Sequence, residues 1–88
     1  MRDGPLKIHE LKCWPDPFFA VRCGTKKYEI RKDDRSFCVG DLLLLREWSP
    51  ETSVYTSRVE LREVVYKTGG GEWGMPDGLC VLGIEELP

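Results

Sequence analysis

Apolar and polar positions along the chain fall into short alternating runs separated by turn residues, with one brief helical spacing among them. Residues 6–12 read as a first strand, with Leu6 and Ile8 inward and the alternation slipping at Glu10/Leu11. Trp14-Pro15-Asp16-Pro17 then leads into a helix of about two turns over roughly 17–23. Asp16 is the expected N-cap and Pro17 the first helical residue. Phe18 and Val21, at i and i+3, mark the buried face, and Gly24 fits the left-handed position just past the helix end.

A second strand is expected over 27–32, followed by a polar turn to Ser36 and a second turn at Val39-Gly40-Asp41. Four consecutive leucines, Leu42 to Leu45, put apolar side chains on both faces of the next strand. Such a strand is covered on both sides or curves through a small barrel. Residues 49–53 form a hairpin loop, and 54–67 a returning strand with a bulge near 62–64. Residues 68–78 are a glycine-rich connection or a lid, without the Gly-Lys-Ser/Thr ending of a P-loop. A buried strand over 79–84 closes the chain, and residues 1–5 are a loose polar start. One strand, one short helix and about four more strands predict a small α+β barrel, closed so that no strand edge is left open.

Eighty-eight residues allow a single domain, 1–88, with one compact core. The formal net charge of −2 counts against a protein that wraps long duplex DNA. The charge is unevenly placed, however. Residues 22–35 carry six cations against three acids, whereas residues 36–88 carry four cations against nine acids. A compact basic spot on an acidic body suits a few phosphates or one nucleotide. The four cysteines form no Cys-x-x-Cys pair, and His9 is not spaced as a zinc partner, so neither metal nor cofactor is expected. No signal peptide or membrane-length apolar run is visible, so a reduced, cytoplasmic, monomeric protein is the expectation.

The candidate chemistry gathers in Gly24-Thr25-Lys26-Lys27-Tyr28-Glu29-Ile30-Arg31. Residues i and i+2 of a strand share a face, so Glu29 and Arg31 project together, while Tyr28 and Ile30 are expected to point into the core. If Lys26 reaches the same face, the result is a site of two cations and one carboxylate. Arg31 can grip a phosphate or base edge with parallel hydrogen bonds. Lys26 supplies a point charge, and Glu29 can accept from an amine or a ribose hydroxyl, or act as a general base. Trp14 and Trp48 offer stacking faces for an unstacked base, and His9 and Lys12 can complete the cleft from the first strand. The bland alternative is a surface Glu29–Arg31 ion pair worth about 0–1 kcal/mol, with the tryptophans simply packed.

This pattern resembles the ASCH domain of the PUA-like superfamily. That family's Gly-x-Lys-x-x-Glu-x-Arg hallmark stands here as Gly24, Lys26, Glu29 and Arg31. The chain is most similar to a small bacterial and phage subfamily. Its features are matched by His9, Leu11 and Lys12, by Pro15 and Phe18, by Val39-Gly40-Asp41 and by Glu47-Trp48. Asp33-Asp34-Arg35 stands for that subfamily's Asn-Asp-Arg turn. The resemblance implies a PUA-like β-barrel with one or two short helices, and a cleft lined by the hallmark residues Lys26, Glu29 and Arg31 that binds RNA, a nucleotide or a modified nucleoside. Some relatives are ribonucleases, and one is an amidohydrolase of acetylated cytidine nucleosides, so Lys26 and Glu29 are the catalytic candidates if the chain is an enzyme. Lys26 matches the amidohydrolase's lysine, but Glu29 stands where that enzyme has its threonine nucleophile. A third possibility is a protein-interaction module, such as a phage inhibitor of a host factor.

Overall fold

The computed structural model describes residues 6–88; the polar start expected at 1–5 lies outside them. Five strands form one curled sheet: β1 (Ile8–Cys13), β2 (Tyr28–Lys32), β3 (Leu42–Ser49), β4 (Val54–Thr68) and β5 (Leu79–Glu85). The spatial order is β1-β3-β4-β5-β2. β1 runs parallel to β3, and every other neighbouring pair is antiparallel. One helix, α1 (Pro15–Arg22), carries the chain from β1 towards β2 and packs on β3 and β4.

The core lies in the concavity of the sheet. Leu11, Leu43, Leu45, Val64, Leu82 and Ile84 point into it from the strands, and Phe18 and Val21 close it from the helix. The leucine run divides as a curved strand requires. Leu43 and Leu45 are buried inside, and Leu42 and Leu44 are half-buried on the outer surface. β4 pairs with β3 through its first part and with β5 through its last. Its register shifts at Val65, between Val64 and Tyr66, just past the expected bulge. A second shift falls opposite Glu47 of β3, where β4 carries Thr56, Ser57 and Arg58 against that one residue. The extra residues let the ribbon twist and curl around the helix.

Several expected orientations are reversed. In β1 the buried residues are His9, Leu11 and Cys13, whereas Leu6 and Ile8 are exposed. The strand therefore alternates without a slip, in the opposite phase. Leu11 and Cys13 sit deeper in the sheet, opposite Leu45 and Glu47 of β3, and their burial outweighs that of Ile8 nearer the sheet end. In β2, Tyr28 and Ile30 face outward, with Ile30 57% exposed, and Glu29 is buried instead. A carboxylate holds an interior position there because two cations pair with it.

The helix begins two residues earlier than expected. Trp14 is the N-cap, and no side chain caps the helix. Pro15 is the first helical residue, and Asp16 lies in the first turn, where its charge complements the helix dipole. The other end matches its sequence signal. Gly24 has φ +81° and follows Cys23, with its N–H on the Val21 carbonyl at 3.0 Å. A Cβ there would meet nothing within 4 Å, so backbone conformation and not space calls for glycine. The loop at 68–78 is folded on itself: Gly69 N–H donates to Glu72 Oε2 at 2.6 Å, and Asp33 N–H ties it to the Gly78 carbonyl at 2.9 Å.

The sheet does not close. Its hydrogen-bonded ladder ends at β1 on one side and β2 on the other, in place of the closed barrel expected. Arginines bridge the open seam. Arg31 Nη2 donates to the Lys12 carbonyl at 3.0 Å, and Arg35 Nη1 to the Glu10 carbonyl at 2.7 Å. These side chains satisfy edge carbonyls of β1 that a sixth strand would otherwise take.

A candidate binding cleft at the open seam

The seam leaves a cavity of about 320 Å³, lined among others by Lys12, Cys13, Trp14, Lys26, Glu29 and Arg31. The helix-ending turn at Gly24 sets Lys26 beside the strand that carries Glu29 and Arg31. Lys26 N–H and Thr25 N–H both donate to the Ala20 carbonyl at 3.0 Å, pinning the turn to α1.

Glu29 is the centre of the cleft. Lys26 Nζ donates to its Oε1 at 2.6 Å, and Arg31 donates to its Oε2 from Nε at 3.1 Å and Nη2 at 2.9 Å. Lys26 also donates to the Tyr28 carbonyl at 2.8 Å. The carboxylate is buried, while both cations keep about a fifth of their side-chain surface in solvent, 19% for Lys26 and 23% for Arg31. Charge-assisted bonds in such partly dry surroundings are short and geometrically firm. The site therefore presents a fixed carboxylate flanked by two cations that retain donor capacity towards the cavity.

Trp14 stands at the rim with more than half its surface exposed. Its ring centroid lies 6.3 Å from that of Trp48, the planes tilted by 36°. Lys12 Nζ sits 4.1 Å from the Trp48 ring centroid, a cation–π arrangement. Trp48 does not itself line the cavity; it braces Trp14 and Lys12, which do. His9 is placed elsewhere. Its ring points into the core, with Nε2 2.8 Å from Asp41 Oδ2 and its centroid 4.7 Å from that of Phe37. Asp41 Oδ2 also accepts from Cys38 N–H at 2.9 Å, so His9 helps hold the Val39-Gly40-Asp41 turn. None of residues 68–78 lines the cleft.

Cys13 joins the site unforeseen. Its one sequence signal is the spacing i+2 from Leu11, visible once the phase of β1 is known. Burial above all, and then the Glu29 carboxylate, push its thiol up from 9.0 to about 11, against the pull of Arg31 and Lys26. The thiol is thus protonated at neutral pH and is no thiolate nucleophile. A thiol with a raised pKa holds its proton more tightly in the folded state, so its stabilisation is complete below about pH 9 and is lost as pH rises towards 11. Burial raises Cys80 in the same direction. The urea midpoint of the wild type should fall more steeply between pH 8.5 and 10.5 than that of Cys13→Ala. Parallel slopes would refute the assignment.

Glu47 was also missed as a buried charge. It sits at the β3 irregularity, where its Oε1 accepts from Thr56 Oγ1 and Arg58 Nε, each at 2.8 Å, and holds the looped-out stretch of β4 in place. Among the described residues no group of three His, Cys, Asp or Glu side chains is placed to hold a metal ion. Nor is any helix among them long and apolar enough to cross a membrane.

A family model described as a domain of unknown function, DUF3850, matches residues 8–84, from the start of β1 almost to the end of β5. An uncharacterized 12.9 kDa protein in the GpA 3′ region of Escherichia phage P2 is 37% identical over 67 residues. That similarity takes in 76% of this chain and 60% of the phage protein, so the chain spans about three fifths of that relative's length. With nearly the whole sheet and the seam residues inside the matched segment, the chain belongs to the DUF3850 family.

Proposed function

We propose that the seam cleft binds a nucleotide unit, as part of RNA or as a modified nucleoside, and that the chain is a PUA-like module of the ASCH type. The observation that carries this reading is the buried Glu29 clamped by Lys26 and Arg31 beside the open face of Trp14. A nucleobase has a flat face that stacks on an indole, and an edge with both donors and acceptors. The clamp offers both: carboxylate lone pairs and the outward N–H groups of Lys26 and Arg31. Lys12, Lys26 and Arg31 outnumber Glu29 three to one along the wall, which favours a ligand with a phosphate.

The geometry favours binding over covalent chemistry. Both Glu29 oxygens are engaged by cations, and the thiol beside them is protonated. The binding test is a titration, followed by thermal shift, against nucleosides, modified nucleosides, nucleotides and short RNAs. Trp14→Ala, at an exposed position, should leave the unligated melting temperature nearly unchanged. It should weaken the best ligand by about 1–3 kcal/mol, roughly five- to 150-fold. Absence of any ligand-induced shift in the wild type would sink the proposal and favour a protein-interaction role.

A further inference from the structure

We infer that the seam cleft is one half of a two-part site, and that its ligand is a single strand of at least two nucleotides passing Lys26 into a second cavity at the C-terminal end of α1. This inference rests on the nucleotide reading above. The second cavity measures about 580 Å³, and its walls include Arg22, Lys26, Lys27, Arg62, Ile84 and Glu86. Among the described residues Lys26 alone lines both cavities. Ligand pockets run about 300–1,000 Å³, so each cavity has room for one nucleoside.

The charges are arranged for a phosphodiester at the junction. Arg22 and Arg62 are committed to Glu60, whose carboxyl burial would raise but whose hydrogen bonds to the two arginines hold it low. Lys27 is different. Its carbonyl accepts from Ile84 N–H at 3.0 Å, which fixes its backbone to the cavity wall, and among the described residues its ammonium makes no ion pair. Lys26 and Lys27 thus put adjacent cations where a strand would cross from one cavity to the other. A helix C-terminus normally repels an anion. Here three carbonyls of its last turn are already occupied: Phe19 by Cys23 N–H, Ala20 by Thr25 and Lys26 N–H, and Val21 by Gly24 N–H and by Arg62 Nη2 at 3.2 Å. Glu85 and Glu86 are the opposing charges on this wall, both exposed, with Glu86 3.8 Å from Arg62.

The test compares ribonucleoside 5′-monophosphates with mixed-sequence diribonucleotides by equilibrium titration on the wild type, Lys27→Glu and Glu86→Gln. The wild type should bind the dinucleotides ~10-fold or more tightly than the monophosphates, from the added phosphate and base contacts. Lys27→Glu should erase that advantage while leaving monophosphate affinity unchanged, and Glu86→Gln should enlarge it. Equal binding of the two ligand sizes, or an advantage that survives Lys27→Glu, overturns the two-part site and leaves the single cleft standing. Absence of binding by every probe overturns the nucleotide reading, and this inference with it.

Discussion

Phe18→Ala should cost about 4 kcal/mol, the largest effect of any single change in this domain. The ring is fully buried at the centre of the concavity and packs edge-on against Phe19, with centroids 5.5 Å apart and planes at 87°. The guanidinium of Arg22 lies 5.0 Å from its centroid. Removing the ring forfeits its transfer energy and leaves a void that a short helix pinned at both ends cannot collapse to fill. A domain of this size is stable by about 4–13 kcal/mol in total, so the variant stands at the edge of unfolding. Urea denaturation is the direct measurement, with Phe18→Leu as the control at under about 1.5 kcal/mol. A loss below 1 kcal/mol for Phe18→Ala would mean that the helix is not part of the cooperative core. The site depends on the same packing, because α1 carries Trp14 at one end and the turn to Lys26 at the other.

Glu29→Ala should be the second most damaging change, by about 2–3 kcal/mol. Removing one partner of a buried ion pair costs about 3–5 kcal/mol when the survivor stays dry. Here Lys26 and Arg31 are partly exposed and recover some hydration, which lowers the figure. They also become two like charges facing one cleft without the carboxylate between them. For a domain this small the melting temperature should drop by roughly 10–20 °C. Glu29→Gln keeps the shape and one acceptor, and should fall between wild type and Ala. Higher salt should narrow the gap between Ala and wild type, since it screens the repulsion. A Glu29→Ala protein as stable as the wild type would show the clamp to be surface decoration and would remove the fixed carboxylate from the binding proposal.

Much of this architecture follows from local chemistry and is legible along the chain. Gly24 marks the helix end because a left-handed residue is needed there and glycine takes that conformation without penalty. Glu29 and Arg31 share a face because strand side chains alternate. Val39-Gly40-Asp41 is a turn by its composition, and four leucines in a row report a curved strand whose two faces are both at least partly covered. These signals act over a few residues, so neighbours in sequence are enough to read them.

Other features were decided between segments far apart in the chain. Which face of β1 is inside depends on the depth at which Leu11 and Cys13 meet β3, not on the hydrophobicity of Ile8. Burial of Glu29 in place of Ile30 becomes affordable only when Lys26 and Arg31 both arrive at its oxygens. His9 lies on the same strand as Lys12 and Cys13 of the cleft yet is turned to Asp41, 32 residues away. The seam itself has no sequence signature. It exists because the sheet order leaves β1 and β2 as edges, and arginine side chains rather than a backbone ladder join them. The charges of Lys26, Glu29 and Arg31 are thus written in one octapeptide, while the cavity beside them arises from where the sheet fails to close.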